Sequence, residues 1–200
     1  MKQDEKSLST KQALAASLKK LMEKKPLSKI TVSEIIADCN VNRKTFYYHF
    51  EDIYDLLKWI LEEEAIEVVK KFDLLVDYQE ALFFVIDYVE ANKHIINCAY
   101  DSLGREGMKH FLYADFAGIV WMLIEGFEEQ LDVHVNESFK KFLCEFYTEA
   151  LSGMLINWFR DKGSSGKAVR DREQVIQDIL LIFSSSLPNI LKTYHAEKQI

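Results

Sequence analysis

Only two prolines and seven glycines punctuate the 200 residues. With 48% apolar residues, that scarcity of chain breakers argues for long helices and few loops. Cysteine is nearly as sparse. Cys39, Cys98 and Cys144 are widely separated and form no C-x-x-C pair, so a disulfide framework is not indicated and a reducing cytosol fits. The N-terminal stretch MKQDEKSLSTKQ lacks the apolar core of a signal peptide, and no apolar run approaches the length of a membrane span. The expectation is a soluble, cytoplasmic protein. Glycine-rich phosphate loops, H-E-x-x-H and G-x-S-x-G are all missing, so no enzymatic chemistry is expected. His94 and Cys98, four apart, have metal-ligand spacing, and His110 and Cys144 could in principle complete a set. Two ligands at that spacing weigh little against a buried cysteine beside a polar-edge histidine, so neither a metal nor a cofactor is expected.

What is present is divided charge. The formal charge of −7 looks wrong for a nucleic-acid binder until it is located. Residues 1–53 hold ten Lys and Arg against seven Asp and Glu, whereas residues 54–200 hold fifteen against twenty-five. The basic excess sits at the N-terminal end, and an acidic remainder discourages indiscriminate attachment to DNA.

The basic end contains TVSEIIADCNVNRKTFYYHF, Thr31 to Phe50. Thr31 and Glu34 have capping-box spacing, and Val32, Ile35 and Ile36 follow at helical intervals. Asn40 tolerates a left-handed turn, Val41 plugs it, and Asn42 can cap a second helix over Arg43 to His49. On that helix Phe46 and Phe50 can face inward. The remaining side chains are two cations, a hydroxyl, two phenols and an imidazole. Arg, Lys and Thr reach base edges or phosphate, and Tyr and His donate to phosphate oxygens. Two short helices joined by a tight turn, the second equipped in this way, make a helix-turn-helix. The expected DNA contacts are Thr31, Asn42, Arg43, Lys44, Thr45, Tyr47, Tyr48 and His49.

VNRKTFYYHF closely resembles the recognition-helix signature of the TetR/AcrR family of bacterial one-component regulators, and ITVSEIIADCNV resembles that family's first motif helix. The resemblance covers roughly the first quarter of the chain. Lys44 stands where the family often has glycine or alanine, and Ile53 where a phosphate-clamping lysine is common. Together with EALSGMLINWF, the motif is similar to the group that controls dihydroxyacetone-kinase operons in Gram-positive bacteria, a group that acts with a protein co-regulator. The resemblance implies a homodimeric, all-α transcription regulator, repressing by family default. It would bind a palindromic operator on double-stranded DNA under control of a small-molecule effector. Its parts would be a three-helix helix-turn-helix domain over 1–52 and a helical effector-binding and dimerisation domain over 53–200. The alternatives are control by a protein co-regulator, or a helical interaction module that does not bind DNA.

The rest of the chain reads as helices. Residues 1–8 are expected to fray ahead of a helix capped at Ser9 or Thr10, which runs to about Lys25 and is stopped by Pro26. Its Lys19, Lys20, Lys24 and Lys25 could reach phosphate or complement a helix C-terminus. Asp52 caps a connector expected from Ile53 to Leu75. Further helices are expected over Asp77 to Ala91, Asn92 to Tyr100 and Met108 to Leu131, with Gly104 and Gly107 flanking a break. Tyr100, Tyr113, Phe116, Trp121 and Phe127 are plausible effector-pocket linings, each also readable as ordinary core. Two final helices flank the loop KGSSGK, and Pro188 is expected to bend or interrupt the second. The family resemblance implies that these two helices pair across a two-fold axis, with Phe146, Ala150, Met154, Trp158, Ile179, Phe183 and Leu187 as interface candidates.

Overall fold

The shortage of breakers has the expected result. A computed structural model describes residues 2–161 and 172–198, and among these the secondary structure is helical with no strand. The segment KGSSGK and the side chain of Trp158 lie outside the described residues.

Helix α1 (Lys2–Met22) includes the residues expected to fray. It ends four residues before Pro26, which opens a 3-10 turn, Leu27–Lys29. Helices α2 (Val32–Asp38), α3 (Arg43–His49) and α4 (Ile53–Leu61) follow. The connector does not continue to Leu75. After α4 the backbone widens into a π-helical turn, Glu62–Ile66, and a last short turn α5 (Glu67–Val69) ends it. The wider turn carries the chain past three consecutive glutamates while Leu61, Ala65, Ile66 and Val69 all stay buried.

A turn at Asp73 leads into α6 (Tyr78–Ala91). The Asp73 carbonyl accepts from the Val76 and Asp77 N–H groups, and its carboxylate accepts from Leu75 N–H. Helix α7 (Lys93–Leu131) joins the two helices expected on either side of a break. The break is reduced to a kink at Gly104, whose φ of 69° is open to glycine because it has no Cβ; Gly107 remains helical. Helix α8 (Glu137–Asp161) precedes α9 (Arg172–Lys198), which continues through Pro188. Polar side chains satisfy carbonyls around that proline: Asn189 donates to the Ser185 carbonyl at 2.7 Å and Ser186 to that of Ile182 at 2.6 Å.

Two compact units emerge. The first comprises the residues up to Glu67 with Val89–Met108, and so includes α4 and the start of α7 as well as the N-terminal helices. Its core holds Leu14, Leu18, Ile35, Phe46, Leu56 and Leu57 without measurable exposure. Burying each such side chain contributes roughly 1.5–3 kcal/mol. Ser17 hydrogen-bonds the Ile35 carbonyl at 3.1 Å, linking α1 to α2. Later segments tie in through side chains: the Cys98 sulfur accepts from Leu27 N–H at 3.0 Å, and Tyr54 and Ser102 pair their hydroxyls at 2.9 Å.

The second unit comprises Val68–Tyr88 and the residues from Lys109 onward. Its core gathers Val120 and Ile124 of α7, Leu143 and Tyr147 of α8, and Leu187 and Leu191 of α9. A buried ion pair braces the α7–α8 connection. Glu128 accepts from Lys140 at 2.7 Å and, through its other oxygen, from the Val135 N–H at 2.9 Å. The ion pair also holds the Lys140 ammonium pKa above its ordinary value.

Candidate nucleic-acid interface

The geometry of the interface starts with caps. Thr31 Oγ1 accepts from the Glu34 N–H at 3.3 Å, and the Glu34 carboxylate accepts in return from the Thr31 N–H at 2.9 Å, completing the box that starts α2. The same carboxylate pairs with Lys25. Hydrogen bonds from Lys25 and then Thr31 pull the Glu34 pKa down to about 2. Asp38, at the other end of α2, pairs with Lys20, whose hydrogen bond lowers the Asp38 carboxyl pKa. Of the four lysines late in the first helix, three are accordingly placed: Lys19 pairs with Glu64, Lys20 with Asp38 and Lys25 with Glu34. They hold neighbouring elements to α1 and to the turn that follows it, a role that neither sequence expectation included.

Helix α2 gives out at Asn40, whose φ of 52° is left-handed, and the Val41 N–H returns to the Ile36 carbonyl at 3.1 Å. Asn42 then caps α3. Phe46 is wholly buried and Phe50 nearly so, with ring centroids 6.1 Å apart, and Phe50 meets Trp59 of α4 at 5.8 Å. These aromatics orient α3. Asp52 caps α4 by accepting from the Asp55 N–H at 2.8 Å, so the next helix begins immediately.

With Phe46 and Phe50 turned inward, the rest of α3 is presented outward. Tyr47 is 51% exposed and Tyr48 78%, and Arg43 and Lys44 are exposed. The Arg43 guanidinium lies 5.9 Å from the Tyr47 ring centroid, a cation–π distance that preorganises both side chains. His49 is half-buried against Tyr48 at 4.9 Å. Burial, and then the nearby Lys11 charge, push its pKa down, so at neutral pH it is an uncharged imidazole and not a cation.

The eight expected contact residues therefore fall into two groups. Thr31 and Asn42 are engaged as caps, and the Thr45 hydroxyl donates to Asn42. Arg43, Lys44, Tyr47 and Tyr48 are exposed, with His49 at the margin. Lys11 was missed by sequence reading. It stands 5.4 Å from the Trp59 ring and 5.8 Å from that of Phe50, and sequence spacing carries no signal that would bring α1 behind α3.

Residues proposed for a pocket separate as well. Phe116 and Phe127 line one apolar cavity in the second unit. Tyr100 belongs to the first unit. Trp121 packs on the second unit's core under Lys140, and Tyr113 lies near Glu145 and Glu149, whose charges add to burial in raising its pKa. Neither lines the cavity. Among the described residues, no group of three or more His, Cys, Asp or Glu is placed to hold a metal ion. No helix among them is long and apolar enough to cross a membrane.

The interface candidates on α8 and α9 also divide. Phe146 is 58% exposed and Ala150 is exposed, while Met154 is half-buried. Leu187 is fully buried in the core, Phe183 packs against Tyr147 at 4.9 Å, and Ile179 lines the apolar cavity. Among the described residues, the exposed large apolar side chains of these helices are Phe142 and Phe146 on α8 and Leu181 and Ile182 on α9.

Residues 14–60 match the family model described as bacterial regulatory proteins, tetR family, and residues 77–165 match one described as a transcriptional regulator C-terminal region. A curated relative is the HTH-type dhaKLM operon transcriptional activator DhaS of Lactococcus lactis subsp. lactis (strain IL1403). It is 25% identical over 146 residues, covering 73% of this chain and 77% of that protein. A solved structure of the dihydroxyacetone kinase operon activator DhaS shares the fold, with a TM-score of 0.64 at 20% identity over 93% of this chain and 98% of that one.

Proposed function

The chain belongs to the TetR family of bacterial transcription regulators, not to an enzyme family, and from that premise we propose that it acts in the cytoplasm as a homodimer on a palindromic operator. Helix α3 enters the major groove. Lys44, Tyr47 and Tyr48 make the outer contacts with Arg43, and Asn42, Thr45 and Thr31 hold the helix ends that position them. The observation that carries this reading is the two-sidedness of α3: Phe46 is wholly buried, whereas Arg43, Lys44, Tyr47 and Tyr48 are exposed. A single α3 reaches few base pairs, so a two-fold protein reading two half-sites one helical turn apart is the economical arrangement. The second copy docks on the exposed aromatic face of α8 and α9. A small-molecule effector in the C-terminal domain controls DNA affinity by shifting the population between DNA-competent and incompetent states.

The deciding experiment is titration of the purified protein onto DNA from upstream of its own gene, across a salt series. Saturable binding that survives competitor DNA and fits two protomers per site is the expected result. No affinity for any DNA at low salt would overturn the reading and favour a helical interaction module. Repression is the family default, while the relatives are named as activators; a reporter assay with the gene deleted decides the direction. Control by a protein co-regulator would appear as operator binding that responds to a co-purifying protein and to no small molecule.

A further inference from the structure

The apolar cavity of the second unit has a lining that restricts what can occupy it. Ala81, Leu82 and Val85 of α6, Leu123 and Phe127 of α7, and Phe183 of α9 line it together. Leu74 reaches in from the turn before α6. That turn sits close because α7 carries Gly126: a Cβ there would stand 3.0 Å from the Leu75 side chain. Among the described residues, no charged side chain lines the space, and the one lining hydroxyl, that of Ser184, bonds back to the Leu181 carbonyl of its own helix at 3.5 Å. The volume is about 140 Å³.

These features together select a ligand class. A polar or ionic ligand would lose its hydration and find no partner, at a cost of several kcal/mol per group. Water gains little for the same reason. An enclosed engineered cavity of about 150 Å³ lined by Leu, Ile and Phe accepts benzene; the pocket here offers a comparable apolar volume with one side open to solvent. We infer that this cavity binds an uncharged, hydrocarbon-like small molecule about the size of a substituted benzene, and that this molecule is the effector of the regulator. The inference rests on the effector reading above and narrows it. It excludes short polyols and sugars, carboxylates and phosphates from this site.

The test uses the full-length protein without DNA. Thermal unfolding is followed with toluene or indole as probes, and with glycerol, dihydroxyacetone and benzoate as polar counterparts. The expected result is a saturable rise with toluene or indole, about 5–10 °C at a hundredfold excess over Kd, and none with the polar set. Val85→Phe, which fills the cavity, should abolish the rise. Ala81→Leu serves the same purpose if Val85→Phe does not fold, with the near-UV spectrum confirming native packing. A rise with the polar set alone would overturn the inference, as would an apolar response retained in both filled variants. Operator binding is measured on the same samples. Intact operator binding with no apolar ligand bound would overturn the cavity assignment and leave the regulator reading standing. Ligand binding without any change in operator affinity would overturn the effector role and leave the ligand class standing.

Discussion

Asn42 Oδ1 accepts twice from Thr45, from its backbone N–H at 2.8 Å and from its hydroxyl at 3.1 Å. One side chain thus satisfies an orphan donor at the start of α3 and fixes the rotamer of the neighbour that would face DNA. Removal of this cap in Asn42→Ala should cost about 1 kcal/mol of stability, seen as a fall of roughly 2–4 °C in Tm. Asn42→Asp should keep the stability and weaken operator binding, because the cap geometry survives while a negative charge meets phosphate. Equal operator affinity in Asn42→Asp and the parent would remove this position from the DNA interface.

Lys44 is exposed on the outward side of α3 and sits where the sequence resemblance leads one to expect a small residue. Lys44→Ala should weaken operator binding and flatten the plot of log affinity against log salt by about 0.9 for a single lost phosphate contact. Stability should stay within about 0.5 kcal/mol of the parent, as for most surface substitutions. A parallel salt plot with unchanged affinity would show that the lysine makes no contact.

The exposed aromatic face and the buried leucine of the last two helices call for opposite outcomes. Phe146→Glu should leave the protomer folded and shift the molecular mass in solution from dimer to monomer, with loss of operator affinity. Leu187→Ala removes a fully buried side chain, and should lower stability by about 2–5 kcal/mol through lost packing. Light scattering and thermal unfolding on both variants separate an interface residue from a core one. A Phe146→Glu protein that keeps its dimer mass would move the interface elsewhere.

Acid should loosen the start of α2. The Glu34 carboxyl has a folded-state pKa of about 2, against an ordinary value of 4.5, because Lys25 and Thr31 hydrogen-bond its charged form. Since the unfolded chain takes up that proton more readily, the stabilisation is present above about pH 4.5 and is lost as pH falls towards 2. The gap in Tm between the parent and Glu34→Gln should therefore be constant from pH 7 to 5 and narrow below that. A gap that does not change down to pH 2.5 would mean that Lys25 and Thr31 do not discriminate the charged form.

Local chemistry made much of this protein legible. The capping box at Thr31, the left-handed Asn40, the Asn42 cap and the inward Phe46 and Phe50 depend on residues within five positions of one another. Steric and hydrogen-bonding preferences at that range are properties of the sequence itself. The charge division between the two ends of the chain is likewise a matter of composition. The functional class followed from these short-range features because the recognition helix is a local motif.

Tertiary packing decided the rest. Which side of an amphipathic helix meets its own core and which is left outside depends on partners distant in sequence. Leu187 and Phe146 therefore both read as interface candidates, yet one is fully buried and the other 58% exposed. Lysines at and just beyond the end of α1 that could have met phosphate found Glu64, Asp38 and Glu34, because folding brought those carboxylates within reach. The connector ended at Val69 after a π turn, and not at Leu75, with Leu61, Ala65, Ile66 and Val69 buried around three consecutive glutamates. Helical periodicity determines that a side has to be buried, and only the folded chain determines against what.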